Sequence, residues 1–171
     1  MELAIASLRR APAVYDALLR GRDEAEARLN EGDDTWSAFD IVGHLIHCEE
    51  TDWLPRAKIL LEHGEARPFE PFDRFAQMGA PKAATLDAEL DLFAEWRART
   101  VDELVSLDLG SAELERTGTH PELGRVTLGE LISAWTTHDL VHVRQVSRVL
   151  AKAYRGRVGV WAAYLPVLDE R

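Results

Sequence analysis

Four of the six histidines in this chain lie in two short stretches, and histidines at these spacings could bind a metal ion. One stretch is THDLVHVRQ, residues 137–145, with His138 and His142 four positions apart. On an α-helix this spacing puts both imidazoles on one face, where two ring nitrogens can reach one ion. The alternative interpretation is a pair of buried imidazoles that fill space and hydrogen-bond to their neighbours.

The second stretch, GHLIHCEE, could supply a third imidazole. His44 shares a helix face with Cys48, and His47 lies one turn further along. A third imidazole facing His138 and His142 would give three nitrogen ligands and leave coordination positions open for water or substrate, as a catalytic metal requires. Neutral imidazoles suit zinc, nickel, cobalt or iron, and the ligand types do not choose among these metals.

Charge and composition exclude several classes of function. The net charge of −10, without a local Lys/Arg cluster, argues against nucleic-acid binding. No signal-peptide pattern and no apolar run of membrane-spanning length occur, so we expect a soluble protein without a membrane partner. The single cysteine, Cys48, excludes an intramolecular disulfide and fits a cytoplasmic location.

Helical periodicity runs along most of the chain, and almost no strand pattern is present. We expect four long helices at about residues 3–29, 37–61, 85–104 and 128–154. Pro12 should disturb the first turns of the first helix, and Pro55 should kink the second. Capping boxes are expected at Ser37 with Asp40 and at Thr127 with Glu130.

The third helix should bury an apolar stripe and expose its charged face, which comprises Glu89, Glu95, Arg97 and Arg99. Residues 64–82 are rich in proline and glycine and should form a connection, and residues 111–125 should form a loop. After the last long helix, VWAAYLPVL could form a short helix that lays Trp161, Tyr164 and Leu165 on the bundle or on a partner subunit.

Four amphipathic helices of this length predict an all-α fold, a four-helix bundle with a short C-terminal helix, in which residues 1–171 form one domain. The long connection at 64–82 can cross the end of the bundle. It therefore permits an up-down-down-up order of helix directions, which we expect here.

The chain resembles the DinB-like (DinB/YfiT-type) superfamily of bacterial four-helix-bundle proteins over nearly its whole length. WSAFDIVGHLIHCEETDW looks like the family's Trp-Ser start followed by His-Leu and an acidic residue, and the segment ending in THDLVHVRQV is similar to its HDxxHxxQ helix. The resemblance implies that His44, His138 and His142 bind the metal. His47 has no matching family position, so it stays a candidate for contact with substrate or for an alternative ligand.

The resemblance also implies a range of functions. Characterised relatives include metal-dependent thiol transferases and isomerases that use low-molecular-weight thiols such as mycothiol, bacillithiol or glutathione. We therefore expect a divalent-metal enzyme containing zinc, nickel or iron, of the thiol-dependent transferase or hydrolase type, acting on a small molecule. The candidate catalytic residues are His47 and Gln145. Other side chains that could assist are Asp40, Cys48, Thr51 and Trp135, whereas Asp139 and Glu49 point away from the proposed ligands and could only orient a histidine of a neighbouring helix.

Two interpretations without catalysis stay open. In the first, the metal joins two helices and stabilises the bundle, although structural zinc usually has four protein ligands. In the second, the chain is a dimeric helical scaffold that is metal-responsive or stress-related, or whose histidines bind no metal at all. The aromatic C-terminal segment allows dimerisation under any of these interpretations, and we expect a homodimer.

Overall fold

The computed structural model describes residues 1–32, 34–79 and 81–169, most of which are helical. In chain order the helices are α1 (Glu2–Leu19), α2 (Glu24–Ala27), α3 (Ala38–Thr51), α4 (Trp53–His63), α5 (Ala76–Gly79), α6 (Leu86–Ser106), α7 (Ser111–Leu114) and α8 (Leu128–Lys152). An antiparallel hairpin formed by β1 (Thr117–His120) and β2 (Gly124–Thr127) precedes α8, and 3-10 turns cover Gly64–Ala66, Gly159–Tyr164 and Pro166–Leu168.

The bundle is built from α1, from α3 continued by α4, from α6 and from α8. Helix α1 packs against α6 and α8, α3 packs against the same two helices, and α4 packs against α8. The predicted all-α four-helix bundle is therefore confirmed. The up-down-down-up order and the single domain over residues 1–171 stay predictions. In the described part of the chain, no helix combines the length and apolar character needed to span a bilayer.

The first helix is shorter than predicted. It contains Pro12 and ends at Leu19, ten residues before the expected end at Leu29. Gly21 has φ +75°, a left-handed conformation that glycine adopts without a Cβ clash. The separate helix α2 then begins after Asp23, whose carboxylate accepts a backbone N–H of its first turn.

The predicted break in the second helix is present, but it lies before the proline. Helix α3 ends at Thr51 and α4 begins at Trp53. Between them, the φ of −112° and ψ of −76° of Asp52 depart from helical values. Pro55 is therefore the third residue of α4, where a helix N–H has no partner within its own helix. The missing N–H costs nothing there, so the chain resumes its helix after Asp52.

The segment 111–125 is more regular than the predicted loop. It contains α7 and most of a hairpin whose strands pair from Thr117 opposite Thr127 to His120 opposite Gly124. Strands of four residues are too short to show clear alternation in a sequence. The Phe69 N–H donates to the carbonyl of Thr119, which ties the 64–82 connection to this hairpin.

Both predicted capping boxes are present. The Ser37 hydroxyl accepts the N–H of Asp40 at 3.2 Å, and the Asp40 carboxylate accepts the N–H of Ser37 at 2.9 Å. The Thr127 hydroxyl accepts the N–H of Glu130 at 3.1 Å, with the reciprocal bond at 2.7 Å. These boxes fix the starts of α3 and α8, the two helices that carry the clustered histidines.

The C-terminal segment does not lay its aromatic residues on the bundle. The predicted short helix is present as 3-10 helices, and Trp161 and Tyr164 are 69% and 80% exposed. Only Leu168 of this segment is buried among the described residues. The prediction that Trp161 and Tyr164 pack on the bundle is therefore wrong, and their packing on a partner subunit stays a prediction.

Candidate metal centre

Three imidazole nitrogens meet between α3 and α8. The Nε2 atom of His138 lies 3.2 Å from Nε2 of His44 and 3.0 Å from Nε2 of His142. Among the described residues, these side chains form the one group of three or more potential ligands whose ligand atoms all lie within 4.8 Å of one another. The fold thus brings together three histidines from two helices that are far apart in the chain.

The helices and one tryptophan position these rings. His138 and His142 are one turn apart on α8, so both project toward α3, which carries His44. Trp36 lies just before α3, with its ring centroid 4.7 Å from that of His44. It also stacks nearly parallel to His142, at 6.1 Å and 11°. The imidazoles are therefore held by packing as well as by helix register.

Hydrogen bonds alone cannot satisfy this arrangement well. A neutral imidazole nitrogen offers in the ring plane either one N–H or one lone pair. His138 Nε2 would therefore serve poorly as a partner for both His44 Nε2 and His142 Nε2, at 3.2 and 3.0 Å. A cation between the three nitrogens would use all three lone pairs at once.

The separations also fit metal coordination. Nitrogens bound to one ion at about 2.0–2.1 Å lie about 3.3 Å apart in tetrahedral geometry and about 2.9 Å apart in octahedral geometry. The two closest pairs of the cluster, at 3.2 and 3.0 Å, fall within this interval. The residues present therefore fit a three-nitrogen site for a divalent transition metal.

Burial keeps these imidazoles neutral. It lowers the pKa of His44 to about 3, and His142, His47 and Arg74 act in the same direction. Burial likewise lowers the pKa of His138 to about 2, with contributions from His142 and His44. The pKa of His142 is also lowered, again mainly by burial. Neutral imidazole is the form that binds metals, so the ligands need not lose protons near neutral pH.

Gln145 orients one of the rings. Its Oε1 atom lies 2.8 Å from Nδ1 of His142 and can accept an N–H from it. This bond would place the proton of the neutral ring on Nδ1 and leave the Nε2 lone pair directed at the other histidines. Of the two predicted catalytic candidates, Gln145 thus contacts a ring of the cluster.

The other candidate, His47, lies outside the cluster. It is half-buried, and its ring packs against Phe72 with centroids 5.1 Å apart. It does not belong to the group of converging nitrogens. Thr51 is exposed and donates to the carbonyl of His47, and Asp40 is engaged in its capping box. These three side chains therefore have local structural partners.

Cys48 borders the histidines without completing the set. Its Sγ atom lies 3.5 Å from Nε2 of His44, one turn along α3, but it is not part of the converging group. Burial raises the pKa of this thiol well above its usual range, and Asp52 and Glu49 add to the effect. Burial thus favours the protonated thiol, which is a poorer nucleophile than the thiolate.

A buried ion network lies beside the histidines. The Arg97 guanidinium donates to Glu49 at 2.9 Å and to both carboxylate oxygens of Asp139 at 2.6 and 2.9 Å. The indole N–H of Trp135 also donates to Glu49, at 3.1 Å. Glu49 and Asp139 therefore pair with Arg97, and neither orients a histidine through a hydrogen bond that the structure shows.

This network corrects the predicted exposed face of the third helix. Arg97 is 1% exposed and Glu89 is fully buried, although both were expected in solvent. Glu95 and Arg99 are exposed, as predicted. Arg97 can be buried because oppositely charged groups on α3 and α8 pair with it, and an ion pair can be buried where a lone charge cannot. Glu89 instead accepts the backbone N–H of Lys82 at 3.2 Å, and burial raises its pKa, which favours the uncharged carboxyl.

A cavity of about 650 Å³ opens beside the three histidines. Its volume is typical of a small-molecule site. Side chains of loops and of α4 supply an aromatic part of its lining, formed by Trp36, Trp53, Phe72 and Phe75. Sequence reasoning missed these aromatic residues and the nearby Arg74 and Asp52 as parts of the site. The sequence did contain one indication of these site residues: Phe72, Arg74 and Phe75 lie close together in the 64–82 connection.

The comparisons with known proteins agree with this architecture. The family model described as the DinB superfamily matches residues 7–146. The structure of YfiT from Bacillus subtilis, described as "a probable metal-dependent hydrolase with an unusual four-helix bundle topology", is similar to this chain, with a TM-score of 0.76. At 20% sequence identity the similarity covers 91% of this chain and 87% of YfiT. No curated protein sequence gives a significant match.

Proposed function

Because the chain belongs to the DinB superfamily, we propose that it binds a divalent transition metal through His44, His138 and His142 and acts as a metal-dependent hydrolase on a small molecule. The observation that carries this proposal is the convergence of three Nε2 atoms, with His138 Nε2 at 3.2 and 3.0 Å from the other two. Three uncharged nitrogens suit zinc, nickel or iron.

The hydrolytic chemistry rests on the number of protein ligands. A divalent ion held by three imidazoles keeps positions for water and lowers the pKa of that water toward neutrality. The adjacent cavity of about 650 Å³ can hold the substrate. Trp36 and Phe72 pack on His44 at 4.7 and 5.8 Å and restrict solvent access around the ring. Gln145 holds the ring of His142 in one orientation.

The only thiol of the chain, Cys48, is buried one turn along α3 from His44. We therefore assign the attacking group to water or to an exogenous thiol. A low-molecular-weight thiol in place of water would make the same site a transferase, so both kinds of nucleophile belong in the assay.

The hydrolase assay compares the metal-loaded protein with the metal-free protein on panels of small esters and amides, with and without added glutathione, mycothiol or bacillithiol. We expect turnover that requires the metal and is lost in His138→Ala. Turnover that depends on an added thiol would show that the protein is a thiol transferase and not a hydrolase. Absence of metal-dependent turnover on every panel would contradict both.

The structural alternative, a metal that only joins α3 to α8, predicts a different result. Removing a metal that is required for folding should lower the melting temperature greatly, because its binding free energy is then folding free energy. Two apolar clusters already pack these helices together, around Phe93 and around Trp135. We therefore expect a chelator to abolish turnover while leaving a cooperative melting transition.

We further propose a cytoplasmic homodimer in a bacterial cell. A single cysteine fits a reducing compartment, and the exposed Trp161 and Tyr164 offer an apolar contact surface. Light scattering should give the mass of a dimer for the wild type and the mass of a monomer for the double variant Trp161→Ser/Tyr164→Ser. A monomeric wild-type protein would contradict the proposed dimer without affecting the metal site.

A further inference from the structure

Arg74 is a positively charged side chain at the cavity that holds the three histidines. It is exposed, and it lies in the segment before α5. His44, His138 and His142 line the same cavity, so a molecule bound there can contact both Arg74 and the histidines.

No carboxylate partner of Arg74 is found among the described residues, in contrast to the other arginine of the cavity lining. Arg148 donates from Nε to both oxygens of Glu31 at 2.8 Å and from Nη2 to one of them at 2.5 Å. Lys152 also pairs with Glu31, at 2.6 Å. Arg148 is thus engaged within the protein, whereas the donors of Arg74 are available to a ligand.

In the part of the chain that the structure describes, no carboxylate of the lining forms an ion pair with Arg74. Glu31 is held by Arg148 and Lys152, and Asp52 pairs with Arg56 at 2.6 Å. Asp34 is exposed and carries no ion pair within the described ranges. Because Asp34 places a negative charge on the same lining, its substitution is a matched control for substitution of Arg74.

Aromatic rings connect Arg74 to the histidines. The guanidinium carbon lies 5.4 Å from the centroid of the Phe75 ring, and Phe75 packs edge-on against Trp36 at 6.1 Å. Trp36 in turn packs against His44. A cation–π contact of this kind requires no hydrogen-bond acceptor, so the N–H donors of the guanidinium can still bind an oxyanion. The lining therefore presents an anion-binding group, then apolar rings, then the three imidazoles.

We propose that Arg74 binds a carboxylate or phosphate of an organic anion whose apolar part packs against Trp36 and Phe75, so that the substrate class is anionic. This inference builds on the proposed metal-dependent activity, in which the reacting bond would lie at the histidine end of the cavity. Three uncharged ligands leave the full charge of a divalent ion in place, and that charge favours the same class of substrate.

The test measures ligand binding, with and without zinc, by fluorescence of the tryptophans that line the cavity. The probes are 3-phenylpropanoate, 2-phenylethyl phosphate and the neutral 3-phenylpropanamide. We expect the two anions to bind at least about fivefold more tightly than the amide, because they form charge-assisted hydrogen bonds with a guanidinium. In the metal-free Arg74→Gln variant that preference should disappear, in metal-free Arg74→Lys it should be partly retained, and in Asp34→Asn anion binding should be no weaker than in the wild type.

The anion that binds more tightly identifies the charged group of the ligand as a carboxylate or a phosphate. Equal affinity of wild type and Arg74→Gln for both anions would overturn the proposal, as would weakening by Asp34→Asn of the same size as that by Arg74→Gln. Failure of the wild type to bind either anion at millimolar concentration would overturn it too. Because the metal-free protein is measured in parallel, an anion preference there supports the role of Arg74 even if the chain binds no metal.

Discussion

Arg97 on α6 donates two hydrogen bonds, of 2.6 and 2.9 Å, to the carboxylate of Asp139 on α8 inside the bundle. Asp139 is the neighbour of His138 in the chain, and Glu49, the second partner of Arg97, lies one turn and a half beyond His44. The guanidinium thereby connects the two helices that carry the histidine cluster. The histidine cluster and this ion network share the same helices and depend on the same packing.

Replacing Arg97 by methionine should destabilise the protein strongly. The change leaves the carboxylates of Glu49 and Asp139 buried without their cation, and breaking a buried ion pair in this way costs about 3–5 kcal/mol. Urea denaturation of the metal-free variant measures the free energy of unfolding. The matched control is Arg9→Met, which removes the exposed pair of Arg9 with Asp102 at 2.8 Å.

An exposed pair of this kind contributes about 0–1 kcal/mol, so the Arg9→Met variant should unfold close to the wild type. Equal losses in the two variants would show that the buried network around Arg97 has no special importance for stability.

Replacing Gln145 by leucine should weaken metal binding about 10- to 100-fold, because partners that orient a ligating histidine contribute that much to affinity. Gln145→Glu keeps an acceptor for the N–H of His142 and should retain most of the affinity. Competition with a chromogenic chelator measures both constants. The idea that Gln145 orients His142 fails if leucine and glutamate at this position bind metal equally well.

Removing the cap of α8 should cost about 1 kcal/mol. Thr127→Ala deletes the hydroxyl that accepts the N–H of Glu130, and loss of a threonine cap typically has this effect. Ser133→Ala, which deletes an exposed hydroxyl bonded to the carbonyl of Gly129 on the same helix, should be close to neutral. Thermal melting compares the two variants, and a larger shift for Ser133→Ala would contradict the prediction.

Glu89 should make stability depend on pH in a defined direction. Burial raises the pKa of this carboxyl to about 7. Hydrogen bonds from the backbone N–H groups of Lys82 and Ala83 lower the pKa, but burial has the larger effect. The folded protein therefore holds a proton that the unfolded chain, with a glutamate pKa of about 4.3, has released. The resulting stabilisation is complete below about pH 4 and is lost as the pH rises through about 7.

Glu89→Gln removes this dependence, so the free energy of unfolding of the variant minus that of the wild type should increase from about pH 5 to about pH 8. Urea titrations at the two pH values give the difference. Glu95→Gln, on the exposed face of α6, should show no such increase. A difference for Glu89→Gln that stays constant with pH would contradict the raised pKa.

The periodicity of the sequence was sufficient to predict the parts of the site that lie on long helices. His138 and His142 were placed on one face by their spacing, and the capping residues Ser37 and Thr127 set where α3 and α8 begin. Local signals of this kind act within a few residues of the chain, and tertiary packing did not override them.

The features that the sequence did not predict depend on long-range contacts. Arg97 was expected in solvent because a charged residue beside an apolar stripe is usually exposed, and its partners lie 48 and 42 residues away. Phe75 and Arg74 lie in a proline- and glycine-rich connection whose path over the cavity has no periodic signal. The early end of α1 follows from Gly21, which helical spacing alone does not reveal.

The most direct test of the metal centre is the metal content of the untagged protein and of four single variants, measured by inductively coupled plasma mass spectrometry. His44→Ala, His138→Ala and His142→Ala each remove one converging nitrogen, while His47→Ala removes an imidazole outside the cluster. We predict near-stoichiometric metal in the wild type and in His47→Ala, and a large loss in each of the other three. A wild type that binds no divalent metal, or near-stoichiometric metal in all three cluster variants, would contradict the proposed site.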